Sequence, residues 1–352
     1  MKKAEFYKPR VHTIAGVTPA KHVSLMDFAE EFGEEEIRKV EKLTGIEDVT
    51  IAAEGMTSSD YCCEAAKVLF EQAAIKPEEI EALVYVTETP DHIIPATAPI
   101  IQGRLGIPTD TINLDLRCSC SGFVYGLFQA SLLIETGCVE NVLLLVGNTS
   151  SRLVNPKDRA LVMVTGDAAC AALITRSEYE NRSCFSFYVN GGGYKSIFIP
   201  AGGSRMPIRK GVTDVLEFDE ENNGHTLENL KMDGLEVMSF AVRHGRGLLT
   251  KVMQNMGWTA DDVDLFAIHQ ANEMIVKRIA KGIKADLSKV PISLKHTGNC
   301  GLVSIPLVIC NTFEGVHPEL KKVAACGFGS GLIAAACGLD LSETNIVKTQ
   351  TV

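Results

Sequence analysis

The feature that most constrains this chain is an internal echo. Glu78-Glu79-Ile80-Glu81-Ala82-Leu83-Val84 and Asp261-Asp262-Val263-Asp264-Leu265-Phe266-Ala267 share one pattern, 183 residues apart. Each copy follows a helix-like stretch and runs into an apolar strand. Further on, Gly166-Asp167-Ala168-Ala169-Cys170-Ala171-Ala172-Leu173 and Gly329-Ser330-Gly331-Leu332-Ile333-Ala334-Ala335-Ala336 each take a glycine-containing turn into a run of small residues. Two matches in the same order favour a duplicated α/β unit over chance. We expect one half over residues 1–178 and the second over residues 179–352, and the 352 residues suffice for such a pair.

Between these markers, Ala82–Thr87, Val142–Gly147, Ala160–Thr165, Leu265–His269 and Lys322–Gly327 read as buried strands. Apolar blocks bounded by Gly, Asp or Thr fit a sheet covered on both faces. Ser58–Ala74, Gly122–Thr136, Leu235–Met256 and Ala271–Ile283 read as amphipathic helices. The alternation predicts an α/β protein with much parallel sheet. Residues 191–224, rich in Gly, Pro, Asn and Asp, read as long loops.

Composition removes several functions. A formal charge of −10 is unsuited to general nucleic-acid binding, which needs a basic surface. Eleven cysteines without zinc spacing, and no apolar signal segment after Met1–Arg10, read as free thiols in a reducing compartment; the expectation is cytoplasm, with no metal site. No apolar run reaches membrane-spanning length.

The chemistry concentrates in Asp115-Leu-Arg-Cys118-Ser-Cys120-Ser-Gly122-Phe123-Val-Tyr-Gly126-Leu. A short strand, Ile112–Leu116, leads through small residues into a helix from about Gly122. A cysteine at such a junction meets the positive end of the helix, which favours thiolate. Spacing alone leaves a second reading open, in which both cysteines are packing residues. His269 closes an apolar strand in Phe266-Ala-Ile268-His269-Gln270-Ala271-Asn272, where ligands collect in open α/β sheets, though a core or capping histidine fits there equally. Thr297-Gly298-Asn299-Cys300-Gly301 reads by itself as a turn.

Taken together, these segments resemble the β-ketoacyl-acyl carrier protein synthase III group of the thiolase superfamily. Cys120-Ser-Gly-Phe-Val-Tyr-Gly-Leu is similar to its nucleophile segment, His269-Gln-Ala-Asn272 to its histidine motif, and Gly298-Asn299 to its asparagine. Gly327-Phe328-Gly329-Ser330-Gly331, Thr44-Gly45-Ile46, Asp158-Arg159, Gly166-Asp167 and Met232-Asp233-Gly234 extend the resemblance over nearly the whole chain. It implies a five-layered αβαβα thiolase-like fold of two similar halves, a homodimer, and no cofactor. It selects Cys120 as an acyl-carrying nucleophile and His269 and Asn299 as donors to a decarboxylating malonyl-type thioester. The oxyanion hole would be the backbone N–H groups of Cys120 and Ser330. Arg159, Ile94 and Phe328 fall at substrate-binding positions.

Some family features are missing. No tryptophan or arginine flanks Thr44-Gly45-Ile46, the only tryptophan is Trp258, and Met274 stands where the family places an arginine. These departures take away residues that hold CoA and point to a carrier-protein-bound or unusual donor. Lys277, Lys281 and Lys284, at spacings of four and three, could dock an acidic acyl carrier protein or form a plain solvated face. Related enzymes of specialised metabolism, or acyl transfer to oxygen or nitrogen, form the alternative reading. A non-catalytic partner subunit would generally lack the nucleophile. Aldol chemistry would want an acidic base, for which Glu88 stands after Ala82–Thr87; the simpler reading of Glu88 is a polar turn residue.

Overall fold

Pro77–Glu79 forms one turn of 3-10 helix, held by Lys76 and Glu79, and delivers the chain into a strand at Ala82. The computed structural model of the protein describes residues 3–352. In chain order, the strands of its two large sheets are β1 (Lys3–Phe6), β2 (Pro9–Thr18), β3 (Ala82–Val86), β4 (Ile112–Leu116), β5 (Asn141–Asn148) and β6 (Ala168–Arg176). They continue with β7 (Ser183–Val189), β8 (Leu265–Ile268), β9 (Gly315–Val316), β10 (Val323–Gly329), β11 (Ile333–Leu339) and β12 (Asn345–Thr351). The main helices are α1 (Glu34–Thr44), α2 (Ser58–Ala73), α3 (Gly122–Glu135), α4 (Gly234–Met256), α5 (Glu273–Ile283) and α6 (Ser304–Thr312).

One sheet has seven strands in the order β9-β12-β2-β6-β5-β3-β4, and the other five in the order β1-β7-β11-β10-β8. α2 lies on the outer face of the larger sheet, and α4 and α5 cover the smaller. α3 and α6 lie between the sheets and touch strands of both. The result is five layers, helix-sheet-helix-sheet-helix. The central layer is predominantly apolar, as helices between two sheets must be. Phe123, Val124, Leu127, Ala130 and Ile134 of α3 are fully buried, as are Ile305, Val308 and Cys310 of α6. Burying each of the larger side chains is worth about 1.5–3 kcal/mol. α3 comes close to the sheet because Gly122 and Gly126 have no side chain: a Cβ on Gly122 would stand 2.9 Å from Val86 and one on Gly126 3.0 Å from it.

The sheets are mixed, with the parallel pairing that the alternation predicts alongside antiparallel returns. β3 runs parallel to β4 and β5, β12 to β2, and β8 to β10, while β6 and β11 return antiparallel between neighbours. One expectation needs correction: Ala160–Thr165 is not a strand. Arg159–Val162 is a helical turn whose cap, Asp158, accepts the Leu161 N–H. A short apolar run carries too little periodicity to tell the two apart.

Candidate active site

The strand end of β10 is the meeting point. Ser119, Cys120 and Ser121 lie against its glycines: a Cβ on Gly327 would stand 2.7 Å from Ser121 Cα and nearer still to the Cys120 carbonyl. One on Gly329 would stand 3.2 Å from the Cys120 nitrogen and 2.7 Å from Ser119 Oγ. Next to β10 runs β8, which ends at Ile268, one residue before His269. The His269 N–H donates to the Cys326 carbonyl (2.8 Å), and the ring packs edge-on against Phe328 with centroids 5.1 Å apart. The turn after Asn299 closes the site, with Leu302 Cβ 3.2 Å from where a Cβ on Gly122 would be. The segments carrying Cys120, His269 and Asn299 are thus brought together from three distant parts of the chain.

Each polar group is held in a definite way. His269 is buried, and its Nδ1 lies 2.6 Å from Ser304 Oγ, which also accepts the Gln270 N–H at 3.2 Å. Burial lowers the imidazole to about 3, so the ring is neutral at physiological pH. The Asn299 backbone donates to the Val164 carbonyl (2.7 Å) and accepts from the Gly166 N–H (3.1 Å). Its side-chain oxygen accepts the Gly301 N–H at 3.0 Å, which leaves the amide NH2 as the end able to donate outward. The remaining motif residues are structural. Gln270 bonds to Ile268 and Ser293, and Asn272 caps α5 through the Ile275 N–H.

Cys120 stands immediately before Ser121, the cap of α3, as expected, but it is not a resting thiolate. The half-buried thiol is pushed up to about 12, first by lost solvation and then by the nearby Glu88 carboxylate. Ser119 Oγ, 3.5 Å from Cys120 Sγ, pulls the other way.

Two family descriptions match the chain: 3-oxoacyl-[acyl-carrier-protein] synthase III over residues 114–193 and its C-terminal counterpart over residues 253–341. The β-ketoacyl-[acyl-carrier-protein] synthase III of Caldanaerobacter subterraneus subsp. tengcongensis is 35% identical over 302 residues, covering 85% of this chain and 88% of the relative. That of Clostridioides difficile is 33% identical over 290 residues, covering 82% and 85%. The chain belongs to the β-ketoacyl-[acyl-carrier-protein] synthase III family. A solved 3-oxoacyl-(acyl-carrier protein) synthase from Burkholderia xenovorans superposes with a TM-score of 0.92 at 29% identity, covering 100% of this chain and 99% of that one. The architecture is the five-layered thiolase fold of that family.

Among the synthase III positions assigned from sequence, Phe328 is buried beside His269. Ile94 is not drawn into the site: it is 86% exposed on a loop with Ile93. Arg159 pairs with Glu36 of α1 (3.7 Å) and donates to the Glu221 carbonyl (3.1 Å). His296 is an exposed partner of Asp48 at 2.7 Å. Lys277 is engaged by Glu273 on its own helix, and Lys284 lies past the end of α5 as its left-handed cap.

Sequence reading missed Ser304, and it missed the arginines of α4. Arg243 and Arg246 line a groove of about 670 Å³ with Arg278 of α5 and Met238 and Val242, beside a second groove lined by Lys42, Lys277 and Lys281. The signal for the arginines was present in Arg243-His244-Gly245-Arg246, whose spacing places both arginines on one helix face. Among the described residues, no cluster of His, Cys, Asp or Glu could hold a metal ion, and no helix is long and apolar enough to cross a membrane.

Proposed function

We propose that this chain carries out the decarboxylative Claisen condensation of an acyl thioester with a malonyl-type thioester, in fatty acid or related acyl metabolism. The observation that supports the reading is that Cys120 lies against the glycines of β10, that His269 follows the neighbouring β8, and that Leu302, in the turn after Asn299, packs at Gly122 beside the nucleophile. Cys120 takes the acyl group from its donor and holds it as a thioester. The malonyl-type thioester then enters and loses carbon dioxide. His269, with Nδ1 occupied by Ser304, presents Nε2–H, and Asn299 presents its NH2; both donate to the enolate oxygen that decarboxylation creates. A neutral imidazole suits this role, because it donates without being consumed as an acid. The carbanion attacks the acyl-cysteine, whose oxyanion is held by the backbone N–H groups of Cys120 and Ser330. Gly329 keeps that approach open.

Residues 1–178 supply the nucleophile and residues 179–352 the two donors, as two similar halves. An acyl carrier protein docks on the basic surface of α4 and α5, with Arg243, Arg246 and Arg278 joining Lys277, Lys281 and Lys284. That surface supports a carrier-bound malonyl donor; acyl-CoA stays available as primer through Arg159. The exposed Ile93 and Ile94 support a homodimer, in which a second copy covers their loop. The chain works in the cytoplasm, where its free thiols stay reduced.

The test is covalent mass. The protein is incubated with a panel of acyl-CoA and acyl-carrier-protein thioesters and weighed intact, beside Cys120→Ala. An added acyl mass that is absent from Cys120→Ala supports the reading, and carbon dioxide release from a malonyl-carrier thioester completes it. Labelling that persists in Cys120→Ala, or no labelling by any donor, overturns it.

A further inference from the structure

Asp167 is a fully buried carboxylate whose atoms take no part in the condensation. It stands one residue before β6, and both of its oxygens are taken up by donors. Oδ1 accepts the Ser151 N–H at 2.9 Å, while Oδ2 accepts the Ser151 hydroxyl at 2.5 Å and the Ala52 N–H at 2.8 Å. Ser151 belongs to the turn after β5, and Ala52 follows a short strand, Asp48–Thr50. Three separate segments are therefore tied at one side chain. Burial raises the Asp167 carboxyl above its ordinary value, and the hydrogen bonds from Ser151 and Ala52 pull the other way.

The backbone beside that side chain carries Asn299. The Asp167 N–H donates to the Thr50 carbonyl at 2.8 Å, and the Asp167 carbonyl accepts the Thr50 hydroxyl at 2.7 Å. The Thr50 N–H in turn reaches the Thr297 carbonyl at 3.3 Å. One residue before Asp167, the Gly166 N–H donates to the Asn299 carbonyl at 3.1 Å, and the Asn299 N–H donates to the Val164 carbonyl at 2.7 Å. Gly166 lies so tightly against the Thr297 carbonyl that any side chain would overlap it. Residues 164–167 and 297–299 thus form a clasp, with Thr165 and Asn299 bridged as in a parallel sheet. The Asp167 carboxylate ties one side of that clasp to the turn after β5 and to Ala52. Cys120 is seated separately, against Gly327 and Gly329 of β10.

We propose that Asp167 is a positioning residue for Asn299. Its carboxylate fixes residues 164–167, the clasp fixes the Asn299 backbone, and the amide NH2 is thereby aimed at the thioester oxygen that gains charge in decarboxylation. The proposal rests on the condensation reading above. Asp167 touches no substrate atom and exchanges no proton. A carboxylate suits the place and an amide does not, because each oxygen accepts a backbone N–H, and an NH2 in either position would face that N–H. A donor to developing charge works through its placement, and a displacement of about 1 Å can cost about 100-fold in rate.

On the acylated enzyme, Asp167→Asn should lower carbon dioxide release from a malonyl-carrier thioester by about 10–100-fold. Acylation of Cys120 by the butyryl thioester of N-acetylcysteamine should stay close to that of the wild type. Ser151→Ala, which removes the hydroxyl donor and leaves the N–H, should act in the same direction to a smaller degree. A merely structural role would not produce the next result. In an Asn299→Ala background, where no amide is left to aim, Asp167→Asn and Ser151→Ala should lower carbon dioxide release no further. Undiminished losses in that background overturn the proposal, as does a parallel fall in acylation, or no loss in either variant. If Asp167→Asn does not fold, Ser151→Ala in the two backgrounds decides. A wild-type chain that is acylated but releases no carbon dioxide sinks the condensation reading, and the proposal falls with it. A wild type that condenses while the two losses multiply sinks the proposal alone.

Discussion

Ser304 Oγ stands 2.6 Å from His269 Nδ1 and also accepts the Gln270 N–H, so one hydroxyl fixes both the ring and the turn that follows it. With the Gln270 N–H already on its oxygen, the hydroxyl proton is free for Nδ1. Ser304→Ala should therefore leave acylation of Cys120 intact and lower condensation by about tenfold, roughly the effect of one lost positioning hydrogen bond. Single-turnover assays of the two half-reactions check this.

Asn299 is held by its amide oxygen, which makes its NH2 the chemically active end. Asn299→Asp keeps an oxygen for the Gly301 N–H but places a second, negative oxygen against a developing enolate. Decarboxylation should fall by about 10²–10³-fold, the usual loss for an oxyanion donor, while the acyl-enzyme still forms. Carbon dioxide release measured beside intact mass separates the two effects.

The buried imidazole also sets a pH dependence of stability. His269 binds a proton near 6.5 in an unfolded chain but only near 3 in the fold. Between those values the unfolded chain holds more protons, so acidification favours unfolding by up to ~1.4 kcal/mol per pH unit from this group. His269→Gln should remove that share. Urea midpoints of the two proteins, compared at pH 7, 6 and 5, should converge or cross as the pH falls.

Gly327 faces the backbone of Cys120 and Ser121, which cannot swing aside as a side-chain tip can. Gly327→Ala should cost about 1–3 kcal/mol of stability, the range for overpacking, and should slow acylation by displacing the nucleophile. Gly247→Ala, on the exposed part of α4 where a Cβ meets nothing within 4 Å, serves as the control and should be neutral or slightly stabilising.

The basic groove of α4 and α5 should govern carrier recognition rather than chemistry. Arg243→Glu should raise KM for a malonyl-carrier thioester several-fold with kcat little changed, and the effect should shrink with added salt. Lys277→Glu should do less, because Glu273 already engages that lysine.

What could be read from the chain was local. The strand, turn and helix around Cys120 lie within one continuous stretch, residues 112–135, and the strand end bearing His269 is shorter still, and their residue types reveal them. The partners that give those residues their state are remote: Ser304 lies 35 residues from His269, and Ser330 lies 242 residues from Glu88. A hydrogen bond closed over such a distance leaves no periodic trace. Polar residues such as Ser304 and Glu88 look like ordinary turn or cap residues until the fold brings them together. The groups that push the Cys120 thiol up are remote for the same reason: the burial around it and the Glu88 charge come from elements far along the chain. Which strands return antiparallel was not legible either, since small-residue runs such as Ala168–Arg176 fit a covered sheet in either sense.

The crossing of the chain's outer strands has a consequence for synthesis. β1 pairs with β7 in the five-stranded sheet, whereas β12 fills the place between β2 and β9 in the seven-stranded one. During translation, β2 can pair with β6 long before residues 345–351 exist, and its other edge stays open until they arrive. An unpaired edge is a template for a foreign strand. A polypeptide stalled before residue 345 would thus present a sticky, nearly finished sheet, and nonstop growth through β12 is what makes the nascent chain safe from its neighbours.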